Sequence, residues 1–325
     1  MIISKTPLRV SFFGGGTDAL KYIESAGWGA VLNTTIQNYV YVTITNNFYG
    51  NVRAYYTGAF EAIKNVSELQ NKYVREIMKE DGISGGVDIC VTTDSVSKGG
   101  GLGGSAALMV GLINAAHAFN GKRKDAAFLE AEATRLGTDR NRIGDTTGRQ
   151  DQAATAFGGF NVIKFFKDGR VVVEPVKCDK KTLALLESRL LQFYLGGTRS
   201  ASELLFKQET KIADEMELRT KMRDQVDAGR KLLEADKLDE FGKLLDEAWK
   251  LKKKIGGVSN PDVDKYYDKA IKAGALGGKL SGAGGTGFLT FYCPDGTEKA
   301  VRKALVDLKE IKLKFEPSGS KVIEV

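Results

Sequence analysis

The hydrophobic and polar positions of this chain follow two periods, one of about two residues and one of a helical turn. Branched or aromatic residues alternate with polar ones in IISKTPLRVSFF and in GAVLNTTIQNYVYVTITN, which predicts two strands. Shorter apolar runs predict strands at GGVDICVTTD and RLLQFYLGG, and FGGFNVIKFFKDGRVVVEPV is typical of a hairpin that turns at Asp168-Gly169. Strands are therefore expected in both halves of the chain.

Helical periodicity separates these strands. It is present in VSELQNKYVREIMKE, SAALMVGLINAAHAFNG and KDAAFLEAEATRLG, and it dominates the chain from about residue 200 to 255. A further helix begins at Asn260-Pro261, and a last one, GTEKAVRKALVDL, precedes a C-terminal β segment. Because strands and helices do not alternate strictly, we predict an α+β architecture with an N-terminal domain at 1–175 and a C-terminal domain at 176–325.

Composition and charge narrow the class of protein. With 325 residues, 42% hydrophobic and 27% charged, the chain is expected to form two soluble domains of ordinary size. The net charge of +7 comes from lysines interleaved with acids, which argues against nucleic-acid binding and is compatible with anionic metabolites. No apolar run reaches the ~20 residues of a bilayer span, and the N-terminus lacks the features of a secretory signal. We therefore expect a cytoplasmic protein without a membrane partner.

The scarcity of histidine and cysteine limits the chemistry. His117 is the single histidine, which excludes His-based triads and His-rich metal sites. The three cysteines are far apart in sequence, so neither a disulfide framework nor a zinc site is expected. Catalysis would then depend on carboxylates, lysine, arginine, hydroxyls and backbone amides.

The densest glycine cluster directly precedes a predicted helix. From Gly99 to Gly104 five of six residues are glycine, and a fold accepts this loss of backbone entropy only where it gains something. The G-x-G-x-x-G/A matches at Gly14 and Gly99 lack the context of a dinucleotide site, and Walker A and protein-kinase signatures are absent. Free N–H groups at the positive end of a helix instead predict a polyphosphate site. A glycine-rich turn for close helix packing, the alternative, explains one or two glycines.

Three motifs in order resemble those of the GHMP kinases, the superfamily of galactokinase, homoserine kinase, mevalonate kinase and phosphomevalonate kinase. They are PLRVSFFGGGTD at 7–18, GGGLGGSAA at 99–107 and KLSGAGGTGFL at 279–289. The resemblance covers nearly the whole chain. It implies an N-terminal domain like ribosomal protein S5 domain 2, a ferredoxin-like C-terminal domain, and ATP bound between them.

Within this superfamily the chain looks most like the D-glycero-α-D-manno-heptose 7-phosphate kinases. The stretches that carry this resemblance are RVSFFGGGTD, GRQDQAATAFGGFN and GGTRSASELL. It implies transfer of the ATP γ-phosphoryl group to the anomeric hydroxyl of a sugar 7-phosphate, giving a 1,7-bisphosphate for nucleotide-heptose synthesis. Two alternatives stay open: another GHMP sugar kinase, of the fucose or N-acetylhexosamine type, and a non-catalytic sugar sensor on the same fold.

The resemblance assigns the catalytic and metal-binding positions. Asp151 matches the catalytic aspartate, with a helix N-cap as its alternative role, and Arg9 matches the basic residue that pairs with it or contacts the transferring group. Mg²⁺ takes hard oxygen ligands, and Ser105 and Glu132 match those of the family. Glu130 is a neighbouring competitor for this assignment. The segment TDRNRIGDTT makes the chain between Glu132 and Asp151 longer than the family pattern, which indicates either a loop extension over the site or an alignment of Glu132 that is off by a turn.

The resemblance also implies the residues that contact ATP and the sugar. The ATP phosphates are expected at the loop residues Gly99, Gly100, Gly101, Gly103, Gly104, Ser105 and Ala106. The small-molecule sugar phosphate is expected at Gly15, Gly16, Thr17, Asp18, Arg149, Arg199 and Gly284. Of these, Arg149 and Arg199 offer guanidinium forks for the substrate phosphate, and Asp18 has a turn or helix cap as its alternative role. No residue is assigned to adenine, and a homodimer is the oligomeric state to test. LKKKIGG is interpreted as a solvated helix end, with a phosphate clamp as its alternative role.

Overall fold

The structure, a computed structural model, describes residues 1–96, 100–145, 148–197 and 211–324. Within these residues twelve strands form two sheets: β1 (Ile2–Phe13), β2 (Trp28–Asn46), β3 (Val52–Tyr56), β4 (Ala59–Ile63), β5 (Val87–Thr93), β6 (Phe160–Phe166), β7 (Val171–Pro175), β8 (Leu190–Tyr194), β9 (Gly277–Leu280), β10 (Phe288–Tyr292), β11 (Lys309–Ile311) and β12 (Lys321–Glu324).

The helices of the described residues pack on these sheets. They are α1 (Leu20–Ala26), α2 (Lys72–Glu80), α3 (Gly104–Phe119), α4 (Ala126–Thr138), α5 (Gln150–Phe157), α6 (Lys180–Arg189), α7 (Met216–Glu234), α8 (Leu238–Lys253), α9 (Pro261–Lys272) and α10 (Glu298–Ala304), with a short 3-10 turn at Val66–Glu68. No helix in this part of the chain has both the length and the apolar character of a membrane span.

The first sheet has the strand order β12-β1-β2-β5-β3-β4, and β6 pairs with both β2 and β7. The antiparallel register of β1 and β2 shifts after Pro7, which lacks an N–H group, and again after Ser11. Such bulges increase local twist, so β1 twists on both sides of Arg9. The hairpin of β6 and β7, with its turn at 167–170, confirms the one predicted at Asp168-Gly169.

The second sheet has the order β11-β8-β10-β9 and is fully antiparallel. Its core contains Trp249, Tyr267 and Phe291, whose neighbouring ring centroids lie 5.9 and 5.6 Å apart. Buried aromatic contacts of this kind fix how the helices α8 and α9 lie on the sheet.

The C-terminal strand returns to the first sheet. β12 pairs with the start of β1, and just before it the hydroxyl of Ser320 is 2.7 Å from that of Thr6. Apart from this last strand, the first sheet is built from β1 to β7 and the second from β8 to β11, and the domain boundary at residue 175 stays a prediction.

Helix α3 lies against β1 and β2 and is buried along most of its length. The Ser4 hydroxyl of β1 donates to the Gly111 carbonyl oxygen of α3 at 2.8 Å. This contact fixes the helix to the strand that carries Arg9. Side chains cap other helices, as Asp125 caps α4 and Asn260 caps α9, whereas no described side chain caps α3. Its first N–H groups are therefore left for a ligand.

Candidate active site

The glycine loop between β5 and α3 ends at this uncapped helix terminus. Gly103 precedes the helix with φ at +77°. A Cβ on Gly101 would collide with the Ser281 carbonyl oxygen, so the loop packs on the third motif through bare backbone. Gly104 and Ser105 are exposed, and apart from its chain neighbours and its own helix backbone, no described atom lies within 4 Å of a Cβ built on Gly104. The loop thus presents helix amides to open space, an arrangement that binds phosphate.

Arg9 of β1 and Asp151, in the first turn of α5, form a two-pronged ion pair beside this loop. The Arg9 Nε and Nη2 atoms each donate to an Asp151 carboxylate oxygen at 2.8 Å. Arg9 Nη1 donates to the Gly101 carbonyl oxygen, and the Arg9 backbone N–H donates to Leu102 O at 3.0 Å. The Arg9 side chain is 5% exposed and that of Asp151 is 31% exposed, so the carboxylate is the accessible partner. Because Arg149 is the N-cap of α5, the alternative cap role of Asp151 is excluded.

Asp18 is buried between the first motif and α5. Its carboxylate accepts hydrogen bonds from the Gly16 N–H at 3.0 Å and from the Gln150 backbone N–H and Nε2 at 3.1 and 2.8 Å. Burial raises the pKa of this carboxyl, and the negative charge of Asp151 raises the pKa further. A Cβ on Gly148 would collide with the Asp18 carboxylate, so only glycine fits at this position before α5. Asp18 therefore joins the first motif to α5, the helix that carries Asp151.

Two other residues of the first motif are held by backbone contacts. The Thr17 hydroxyl donates to Ala30 O at 2.8 Å and accepts from the Ala30 N–H at 3.1 Å. The Gly16 carbonyl oxygen accepts from Nη1 of Arg219, on α7, at 2.9 Å. Their predicted contact with the sugar stays a prediction, and their observed contacts shape the turn.

The remaining loop predictions divide by position. Gly284, with φ at +117°, packs against the backbone just before α9. Gly100 is half-buried and Ala106 is buried at the start of α3. Gly99 and Arg199 lie outside the described residues.

A carboxylate that the sequence analysis did not assign lies near Ser105. The Tyr73 hydroxyl donates to Asp145 Oδ2 at 2.5 Å, and the Ser105 side chain lies close to this hydroxyl. Lys72 Nζ donates to Asp145 Oδ1 at 2.6 Å. Burial raises the pKa of Tyr73, and Asp145 raises the pKa further. Asp145 comes from the segment that lengthens the family pattern, so this segment brings a carboxylate to the phosphate loop.

Glu132 and Arg149 both engage neighbours on α4. The Arg135 guanidinium donates to the two Glu132 oxygens at 2.9 and 2.6 Å. Arg149 donates to the two Glu130 oxygens at 3.1 and 3.0 Å, and to Gly169 O at 2.9 Å. The Arg149–Glu130 pair is buried, and burial raises the pKa of the Glu130 carboxyl. The predicted metal contact of Glu132 and phosphate contact of Arg149 stay predictions, because the observed partners of both side chains are protein groups.

Two lysines that the sequence analysis did not assign line a pocket beside Gly15. Lys252, in the last turn of α8, donates to the Gly282 carbonyl oxygen at 2.7 Å. Lys279 of β9 is 6% exposed and donates to Phe12 O at 3.0 Å. Each lysine thus holds the backbone of a glycine-rich motif.

The surroundings of these lysines weaken their hold on a proton. Burial, followed by the charge of Arg9, lowers the pKa of Lys252 to about 8. Burial, and then the charge of Lys252, lowers the pKa of Lys279 well below its usual range. The prediction of a solvated helix end is therefore wrong for Lys252, although Lys253 and Lys254 are exposed. Helical spacing carried the signal, since Lys252 follows the buried Trp249 of the same face by three residues.

Known proteins share this sequence pattern and this fold. Residues 62–159 match the GHMP kinases N terminal domain, and residues 230–310 match the GHMP kinases C terminal family. The chain is 32% identical over 318 residues to D-glycero-alpha-D-manno-heptose 7-phosphate kinase of Campylobacter jejuni subsp. jejuni serotype O:2. The aligned region covers 92% of this chain and 91% of that relative.

Solved structures extend the likeness to the whole fold. A D-glycero-D-manno-heptose 1-phosphate kinase from Bacteriodes thetaiotaomicron superposes with a TM-score of 0.82 at 24% identity, over 100% of this chain and 99% of that one. A putative sugar kinase from Campylobacter jejuni gives a TM-score of 0.75 at 25% identity, over 100% and 98% of the two chains. The predicted α+β fold is confirmed, and the two family matches occur in the predicted order.

Proposed function

The chain belongs to the GHMP kinases, and from this premise we propose that it phosphorylates the anomeric hydroxyl of D-glycero-D-manno-heptose 7-phosphate. The products would be ADP and the 1,7-bisphosphate, for nucleotide-heptose synthesis. That the protein is an ATP-dependent sugar kinase follows from its family. The heptose 7-phosphate named for its 32% identical relative supports the choice of substrate. The observation that carries the chemistry is the Arg9–Asp151 pair in contact with the phosphate loop.

The reaction needs an acceptor oxygen, a proton acceptor and positive charge near the transferring group. The anomeric hydroxyl oxygen attacks the γ-phosphorus, the bond from this phosphorus to the β–γ bridging oxygen breaks, and ADP leaves with that oxygen. Asp151, the accessible member of the pair, accepts the hydroxyl proton. Arg9 fixes the carboxylate by two hydrogen bonds and places a cation beside the developing charge.

The nucleotide is proposed to bind by its phosphates at the start of α3. The exposed Gly104 and Ser105 leave the uncapped amides of the first turn accessible. Gly103 lets the loop approach closely, because a side chain there would press on the Cγ atom of Arg9, 3.1 Å from the added Cβ. The loop would then hold the phosphates within reach of the ion pair.

Mg²⁺ is proposed to accompany ATP. This ion needs hard oxygen donors and commonly takes only one or two from the protein. The exposed Ser105 hydroxyl in the first turn of α3 fits that need. Protein cations hold both nearby carboxylates, Arg135 that of Glu132 and Lys72 that of Asp145, so we assign Ser105 to the ion and keep Glu132 and Asp145 as alternatives for a second ligand. When bound, Mg²⁺ supplies charge neutralisation at the β- and γ-phosphates.

A coupled assay of ADP release with Mg-ATP tests the proposal. The panel contains D-glycero-D-manno-heptose 7-phosphate, the corresponding 1-phosphate and unphosphorylated heptose, together with fucose, galactose and N-acetylhexosamines. We expect the highest kcat/KM with the 7-phosphate. Turnover confined to fucose or N-acetylhexosamines would replace the proposal by the second candidate, a kinase of that type. No ADP release with any sugar, by a protein that still binds ATP, would point to a sugar sensor.

A further inference from the structure

We propose that Lys252 and Lys279 form the subsite for the phosphate group that the sugar substrate already carries, and so select a phosphorylated acceptor. This inference rests on the proposed function only in taking the acceptor to be a sugar phosphate. The pocket that they line is also bordered by Gly15, Gln225 and Trp249. The space that these residues enclose is small, about 10 Å³, and the pocket opens to solvent on one side.

Among the described residues, no carboxylate forms an ion pair with either lysine of the pocket. The two neighbouring arginines each hold a carboxylate, Arg9 that of Asp151 and Arg219 that of Glu215, both at 2.7 Å. The ammonium groups of the two lysines contact only backbone carbonyl oxygens in their described hydrogen bonds. An ammonium group removed from water without an anion is costly, so an anionic ligand between the lysines would stabilise the site.

The electrostatic balance around the lysines supports the same conclusion. The charged groups that act on Lys252 are the cations Arg9 and Arg219 and the anions Asp18 and Asp151, and Lys252 in turn acts on Lys279. Burial together with these cations outweighs the two anions, because the pKa of Lys252 is lowered to about 8. A bound phosphate would reverse this balance and restore the charged form of the lysine.

Unpartnered polar atoms in the same pocket supply an independent observation. The Trp249 side chain is 1% exposed, yet its Nε1–H has no hydrogen-bond partner in the described part of the chain. The buried Oε1 atom of Gln225 also lacks one there. A buried polar group without a partner is costly, and a ligand removes that cost. A phosphate oxygen can accept from the indole N–H, and a neighbouring sugar hydroxyl can donate to Gln225.

The pocket lies where the far end of the sugar would reach. Gly15 borders it and is three residues before Asp18, whose carboxylate accepts hydrogen bonds from Gln150, the residue next to Asp151. A sugar with its anomeric hydroxyl at Asp151 would run along the glycines of the first motif. Its distal phosphate would then meet the two lysines.

The test compares Lys252→Met and Lys279→Met with a matched control, Lys254→Met, at an exposed position two residues from Lys252. For each enzyme, kcat/KM is measured on heptose 7-phosphate and on unphosphorylated heptose, with thermal denaturation as the check of folding. We expect the two pocket variants to raise KM for the 7-phosphate about 10- to 100-fold, the size of a charge-assisted hydrogen bond. We expect their kcat/KM to fall much further on the 7-phosphate than on heptose, relative to the control.

A merely structural role predicts a different result. Because Lys252 also holds the Gly282 backbone, structural damage would lower kcat/KM equally on both sugars, and that outcome would overturn the inference. Calorimetric binding of inorganic phosphate, measured with a non-hydrolysable ATP analogue filling the loop before α3, gives a readout without turnover: wild type and Lys254→Met should bind it, and the pocket variants should not.

The two hypotheses can fail separately. If the wild type ignores heptose 7-phosphate but binds phosphate through Lys252, the proposed function fails and the anion subsite stands. If the wild type phosphorylates heptose 7-phosphate and both pocket variants match the control, the subsite is wrong and the proposed function stands.

Discussion

Replacing Asp151 by Asn tests the ion pair at the centre of the site. The change keeps the side-chain shape and removes its charge. Arg9 now donates to both carboxylate oxygens at 2.8 Å, whereas asparagine keeps one acceptor oxygen, so one charge-assisted bond is lost. Such a bond contributes about 1.5–3 kcal/mol. Because the Asp151 side chain is 31% exposed, we expect the lower end, a loss of about 1.5 kcal/mol in the free energy of unfolding.

The effect on the reaction should be larger than the effect on folding. Without the proton acceptor, kcat should fall about 10²- to 10⁴-fold, the usual contribution of a positioned general base. ADP release under saturating substrates gives kcat, and thermal denaturation gives the stability. Asp168→Asn is the control, because that carboxylate pairs with Arg170 on the surface, 54% exposed. A folded Asp151→Asn enzyme with wild-type kcat would refute the assignment.

Three further predictions follow from named contacts. Gly103→Ala places a side chain on a residue with φ at +77°, which costs about 1–2 kcal/mol of stability. The Tm of this variant should fall and its KM for ATP should rise. Gly104→Ala is the control and should change neither, because a Cβ on Gly104 faces open space. Arg149→Met leaves buried Glu130 unpaired, at a cost of about 3–5 kcal/mol, and chemical denaturation should show most of the loss recovered when Glu130→Met is added. Since the pKa of Lys252 is about 8, the lysine loses its proton as pH rises through that value, and kcat/KM for heptose 7-phosphate should fall there while that for heptose does not.

Local patterns predicted much of the fold. The alternation in β1 and β2, the turn at Asp168-Gly169 and the helices α3 and α4 are all present. The helix predicted from Val66 begins only at Lys72, because Asn71 caps it and a 3-10 turn precedes it. The return of β12 to β1 was not predictable, since pairing between chain ends depends on tertiary contacts.

The site residues that belong to a sequence motif were predictable, whereas the side chains with which they pair were not. Motif order brought Arg9 to the loop, and the structure pairs it with Asp151. The ion pair of Arg149 with Glu130 could not be predicted from the sequence, because it depends on how α4 and α5 pack. Lys252 was predicted to be one of three solvated lysines. In the structure the buried Trp249, three residues before it, shows that this face of the helix packs inward.

The identity of the reaction product tests the central claim most directly. Phosphorus NMR of wild-type enzyme with Mg-ATP and D-glycero-D-manno-heptose 7-phosphate should show a second sugar phosphate whose signal is coupled to the anomeric proton, together with ADP. An unchanged 7-phosphate under conditions in which the enzyme phosphorylates another sugar, or a new phosphate at any other carbon, would contradict the account.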